Sequence, residues 1–180
     1  MTRFFSRWSA QELVVVGVFA AASKVSTLLI ALAGGGMNPV SLAGKNLVFT
    51  TLLVVMLCKV RRPGTLMLFT VINMLVSMLL LGASVTLLPP MLIGALAGEA
   101  AMWPGRDKAG AGNAVLGAAV FDAMGKALSL GVSWLFMREN PAMMVMVIPF
   151  VAIGYLGSVG GLFSGVKAVR ELRHAGIIRQ

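Results

Sequence analysis

The chain is poor in the residues that build most catalytic and metal centres. It has one cysteine, Cys58, and one histidine, His174. A single cysteine excludes an internal disulfide and any multi-cysteine metal site, and a lone histidine leaves no cluster for zinc or haem. No GxSxG, HExxH or Walker-type phosphate loop occurs, which excludes ATP hydrolysis by that route. Charge is scarce too: 12% of the 180 residues are charged, against about 25% in an average soluble domain. These shortages argue against an enzyme. The expectation is a chain with no catalytic residue, no metal and no cofactor of its own.

What is abundant is apolar sequence. Hydrophobic residues make up 58% of the chain and the mean hydropathy is +0.93, values that belong to an integral membrane protein. The fold class expected is all-α, a single transmembrane domain over residues 1–180. Six apolar runs follow one another at about 12–33, 42–57, 65–83, 86–103, 114–137 and 142–166, with a basic, amphipathic tail at 167–180. A secretory signal competes for the first run, because ALAGG resembles a cleavage site, but the run is long for an h-region and contains Lys24. The formal charge of +9 invites a nucleic-acid reading, and the placement of the bases decides against it. Eleven of the fifteen basic residues fall before the first run, in 58–64 and 103–113, or in the tail. That is the positive-inside pattern, and it predicts six helices with both termini cytoplasmic. Only Arg138 falls outside, while Lys24, Lys45 and Lys126 lie within the apolar runs.

The fifth run carries the most informative residues. At helical spacing Ala118, Ala119, Asp122, Gly125, Lys126, Ser129 and Ser133 share one side, and Val120, Phe121, Met124, Leu128, Val132 and Leu135 take the other. The second side suits lipid; the first suits a protein interior or a wet cavity. An ionisable residue at the bilayer centre costs at least roughly 2.5–3.5 kcal/mol, so it is seldom idle. Asp122 and Lys126, four apart, either neutralise each other and join helices or form the polar wall of a solute or ion site. Lys45 either snorkels to the headgroups or meets a ligand. Thr70, Asn73 and Ser77 form a stripe suited to interhelical hydrogen bonds, and Glu99 lies toward the cytoplasmic end, within reach of basic residues. The last run holds Pro149 and then Gly154, Gly157, Gly160, Gly161 and Gly165, which permits close packing or a bend. Gly17, Ala20, Ala21 and Lys24 share a face of the first run, where small residues four apart admit another helix.

With Lys24, Lys45, Lys126 and Arg138 opposed at depth only by Asp122, an outward-open pocket would suit a small solute bearing an anionic group. Two other classes stay in view. A proton-coupled secondary carrier would use Asp122 or Glu99 as its titrating relay; a membrane-embedded enzyme would need a nucleophile–base or metal set that the sequence does not display.

Several stretches carry a resemblance: ELVVVGVFAAASKV in the first run, FMRENP after the fifth, and GSVGGLFSGVKAVRELRHAGI at the end. Together with the six-run layout, they resemble the substrate-binding S components of energy-coupling factor (ECF) transporters, and more narrowly an S-component branch known from treponemes and streptococci. The resemblance implies a multi-pass protein of the bacterial inner (cytoplasmic) membrane that captures a vitamin or related micronutrient from the outer side. It implies a separate transmembrane coupling subunit and two cytoplasmic ATPases as partners, with ATP hydrolysed there and no nucleic acid involved. Small residues on the first helix, commonly two alanines four apart, meet the coupling subunit in that family; here the positions are Gly17 and Ala21, with Ala20 adjacent, and Gly17 departs from the usual alanine. The family's binding site draws on outer loops and outer helix halves, which corresponds here to Asn38, Lys45, Asp122, Lys126, Trp134 and Arg138. The N-terminal histidine motif of the nickel and cobalt members is missing from Met1-Thr2-Arg3, so a metal cargo is not expected.

Overall fold

The computed structural model describes residues 8–34, 38–81, 88–105, 111–136 and 141–176. Within them the chain forms six α-helices: α1 Ala10–Ala33, α2 Pro39–Lys59, α3 Thr65–Leu81, α4 Leu88–Met102, α5 Ala111–Phe136 and α6 Pro141–His174. No strand occurs among the described residues. Four helical segments, Ala10–Ala33, Pro39–Lys59, Ala111–Phe136 and Val147–His174, are long and apolar enough to cross a bilayer. The other two are shorter. α3 has 17 residues and α4 has 15, so at 1.5 Å per residue they reach about 26 and 22 Å against a hydrocarbon core of about 30 Å.

Local sequence explains where the helices begin. Ser9 and Glu12 close a capping box on α1: Glu12 N–H donates to Ser9 Oγ at 3.2 Å and Ser9 N–H donates to Glu12 Oε2 at 2.9 Å. Asn38 caps α2, its Oδ1 accepting from the Val40 N–H at 3.0 Å, with Pro39 in the first helical position. The second helix therefore begins at Pro39, ahead of the run expected from about 42, because Asn-Pro starts a helix rather than prolonging a turn. Between α2 and α3 the chain turns at Gly64, whose φ of +84° suits glycine. The described part of the basic tail is no separate piece, since α6 runs unbroken through Pro149 to His174 as a 34-residue helix.

Glycines decide how the helices pair. α6 lies along α2 through Gly157, Gly161 and Gly165, spaced four apart. A Cβ on Gly157 would collide with the Ala43 backbone, one on Gly161 would stand 2.6 Å from Leu47 O, and one on Gly165 2.9 Å from Val54 Cβ. Small residues at this spacing let two backbones meet. Thr51 stitches the same seam, with its Oγ1 2.5 Å from Ser164 Oγ and 3.2 Å from the Gly161 carbonyl it donates to. α4 and α5 form a second close pair: a Cβ on Gly98 would lie 2.8 Å from Gly117 O, and one on Gly94 3.1 Å from Phe121 O. Asn113 closes the turn between them by donating to Met102 O at 2.8 Å.

The buried core is lopsided. Val16 and Ala20 of α1, residues Leu53–Cys58 of α2, Leu66 and Phe69 of α3, Ala95 and Met102 of α4, Ala114, Ala118 and Phe121 of α5 and Val169 of α6 make one cluster. Phe49 joins it, its ring 5.9 Å from that of Phe69 and 6.3 Å from that of Phe121. Nearly all of these lie toward the end of the bundle that holds the α2–α3 turn. At that end Glu12 of α1 pairs with Arg62 at 2.7 Å, and the Glu99 carboxylate of α4 accepts from Leu66 N–H at 2.7 Å. Toward the other end, no residue of α5 beyond Phe121 and none of α1 beyond Ser23 is buried. Large apolar side chains such as Leu32, Leu79, Phe136 and Phe163 face outward, 72–85% exposed. Outward-facing apolar rings and chains on this scale suit lipid rather than water.

One expected assignment reverses. Phe121, placed with the lipid side of the fifth helix, is 4% exposed and packs in the core. The buried stripe of α5 is Ala114, Gly117, Ala118 and Phe121, which lies beside the Asp122–Lys126 line rather than opposite it. Met124 and Leu135 do face outward as expected.

Candidate functional site

Where the dense half of the bundle gives way to the loose half, α5 meets α6 through polar groups. Lys126 Nζ donates to Asp122 Oδ2 at 2.7 Å, to Ser158 Oγ at 2.6 Å and to the Gly154 carbonyl at 3.1 Å. Its charge also stands 5.5 Å from the centre of the Tyr155 ring, within cation–π range. An ammonium has three N–H donors, and here each has an acceptor. The ion pair is well shielded, with side-chain exposures of 20% for Lys126 and 10% for Asp122. Ser158 in turn donates to Gly154 O at 3.3 Å. The missing side chain of Gly154 makes room for α2 rather than for the lysine, since a Cβ there would stand 3.2 Å from Asn46 Nδ2.

The pairing expected from the i, i+4 spacing is thus present, and it does more than neutralise charge within α5. It ties α5 to α6. The base count read from the sequence also changes meaning, since Lys126 is already balanced by Asp122 and does not stand as an uncommitted positive charge.

Beside the pair, Thr50 of α2, Ala119 and Asp122 of α5, and Tyr155, Ser158, Val159 and Leu162 of α6 line a small, partly open cavity of about 10 Å³. That is close to the least volume a single water needs, and far below the roughly 300–1,000 Å³ of a ligand pocket. Thr50 is 1% exposed, and its hydroxyl has no hydrogen-bond partner.

The other expected site residues are spread out. Asn38 is exposed and spends its side-chain oxygen on capping α2. Lys45 is half-buried on α2, and Trp134 is exposed near the end of α5. Neither these two nor Asn38 lines the cavity. Arg138 lies outside the described residues. On α1 the small-residue face divides: Gly17 has open space where a Cβ would stand, Ala21 is exposed, and Ala20 is wholly buried against the core. Ala20 is therefore part of the interior, and only Gly17 and Ala21 are available to an outside helix. Among the stripe on α3, Ser77 bonds back to Asn73 O at 2.7 Å, whereas the buried Thr70 hydroxyl and Asn73 amide have no partners, so the interhelical bonds expected of them are not made.

Sequence reading missed Thr50, Tyr155 and Ser158. The available signal was faint: a hydroxyl pair, Thr50–Thr51, inside an apolar run, and a serine within a glycine-rich one. Neither distinguishes a site from ordinary helix contact.

No curated protein and no solved structure matches the chain. A family described as hypothetical bacterial integral membrane protein (Trep_Strep) matches over residues 10–148, which takes in α1 to α5, the start of α6 and both members of the ion pair; the chain belongs to that family of bacterial integral membrane proteins.

Proposed function

We propose that this protein is the substrate-binding S component of an ECF-type importer, taking up a vitamin or related micronutrient from the outer side of the bacterial inner membrane. Release would require a separate transmembrane coupling subunit and two cytoplasmic ATPases, since the chain has no phosphate loop of its own. Both termini, the α2–α3 turn and the basic end of α6 lie on the cytoplasmic side in this reading, by the positive-inside rule. α3 and α4 cross the membrane as short helices, completing six spans.

The observation that carries the proposal is the uneven packing. A dense apolar half ends at a polar junction of Asp122, Lys126 and Ser158, and beyond it, among the described residues, neither α1 nor α5 buries a side chain. A binding protein that closes around its solute needs such a half, with polar groups at its floor and few contacts to break. The outer half also carries Asn38, Lys45 and Trp134 as candidates for direct contact. On α1, the open face at Gly17 and Ala21 supports docking of the coupling subunit.

The test is native mass spectrometry of the detergent-purified protein. A stoichiometric adduct of vitamin-like mass supports capture and identifies the cargo; co-purification of a coupling subunit and ATPases from the native host supports the importer. Recovery with neither argues for the second reading, a small proton-coupled carrier using Asp122 or Glu99. Two contacts weigh against that carrier: Asp122 is held by Lys126, and Glu99 caps the start of α3. Uptake that stops when the proton gradient is collapsed, with ATP maintained, would overturn the importer.

A further inference from the structure

The Thr50 hydroxyl poses a specific problem. It is 1% exposed without a partner, within the apolar stretch of α2. Such a group is costly to leave unmade, and native structures seldom leave it so. Thr50 lines a cavity of about 10 Å³ whose other polar walls are Asp122, Ser158 and the exposed Tyr155. Asp122 commits Oδ2 to Lys126, which leaves Oδ1 to receive another donor. Ser158 Oγ accepts from Lys126 and donates to Gly154 O, and retains a second lone pair. Thr50, Asp122 and Ser158 thus offer one hydroxyl donor and two acceptors in about one water's volume.

We propose that this cavity is a binding site for a single water, which accepts from Thr50 Oγ1–H and donates to Asp122 Oδ1 and Ser158 Oγ. The water makes three hydrogen bonds and links α2, α5 and α6 at one point. A monovalent cation fits less well, because the Lys126 ammonium already lies 2.7 Å from Asp122 and 2.6 Å from Ser158 and would repel it. An anion would face the Asp122 carboxylate. The ion pair is thereby completed as a hydrated junction rather than a dry one.

This has a consequence for cargo, which rests on the S-component reading. A solute group that reaches this depth displaces the water and must replace its bonds, so it is an N–H or O–H donor toward Asp122. A carboxylate belongs elsewhere on the solute, toward Lys45 and the outer end.

The experiment compares Thr50→Val with wild type in purified, solute-free protein, so it does not depend on transport. Valine keeps the shape and removes the hydroxyl. If the water is bound, Thr50→Val lowers Tm by on the order of 2–4 °C, the shift expected for one lost hydrogen bond in a chain of this length. The infrared carboxylate bands of Asp122, identified by their loss in Asp122→Asn, then shift in Thr50→Val and stay in place in Thr50→Ser. An equal or raised Tm in Thr50→Val, or unmoved carboxylate bands, overturns the site. A Tm that rises with sodium in wild type but not in Thr50→Val also overturns it, in favour of a cation.

Discussion

At the scale of single residues, Lys126 concentrates most of the polar chemistry at depth. Its three donors end on a carboxylate, a hydroxyl and a carbonyl, so its removal strands several groups at once. Lys126→Met leaves Asp122, 10% exposed, as a shielded charge with no counter-ion. Breaking a buried pair in this way costs about 3–5 kcal/mol, while replacing both members by neutral groups is often close to neutral. Thermal unfolding in detergent should therefore show a large loss for Lys126→Met and a much smaller one for Asp122→Asn/Lys126→Met. A double variant as unstable as the single would show that the carboxylate is not what suffers. The i, i+4 spacing made the pair legible in the sequence. The contacts to α6 were not legible, because Ser158 and Gly154 sit among many small residues and nothing local marks which of them faces a lysine from another helix.

At the scale of elements, the glycines of α6 separate into two kinds that look identical in the sequence. Gly157 and Gly161 lie against backbone: a Cβ on Gly157 would stand 2.8 Å from Ala43 Cα, and one on Gly161 2.6 Å from Leu47 O. Backbone cannot yield as a side-chain tip can, so Gly161→Ala must push α6 off α2, at a cost of about 1–3 kcal/mol. Gly160→Ala would meet only Leu47 Cδ1, at 3.6 Å, an ordinary contact. It should be neutral or slightly stabilising, because alanine suits a helix interior better by about 1 kcal/mol. The paired Tm measurements check this directly, and equal losses at both positions would mean that the α2–α6 seam is not the close contact described. The run of glycines was enough to expect close packing or a bend. Its partner was hidden, since Ala43, Leu47 and Val54 of α2 are ordinary apolar residues. Phe121 misled for a related reason: a large aromatic beside a polar stripe reads as lipid-facing until the ring of Phe49 is found 6.3 Å away. Helix existence was easy to read and helix ends less so, because Asn38–Pro39 acts through cap geometry rather than hydropathy.

At the scale of the whole molecule, the division of α1 into an inner and an outer face gives the sharpest test of how the protein works with others. Ala20 is wholly buried, while Gly17 and Ala21 look outward, on the same helix and within one turn. A bulky residue at Ala20 has nowhere to go, so Ala20→Trp should unfold the bundle or lower its Tm steeply, as overpacking does. Gly17→Trp and Ala21→Trp project into space that this chain leaves open, and each should keep the Tm within about 2 °C of wild type, as expected of an outward change. If the protein delivers its cargo through a coupling subunit docked on that face, both variants retain solute binding and lose uptake in cells that carry the full importer. Solute binding is read by native mass spectrometry and uptake by accumulation of labelled solute. Normal uptake in both variants would reject α1 as the docking face, even with the solute confirmed. Loss of binding together with uptake would mean that α1 shapes the solute site itself, and that the small residues serve closure of the loose half rather than assembly.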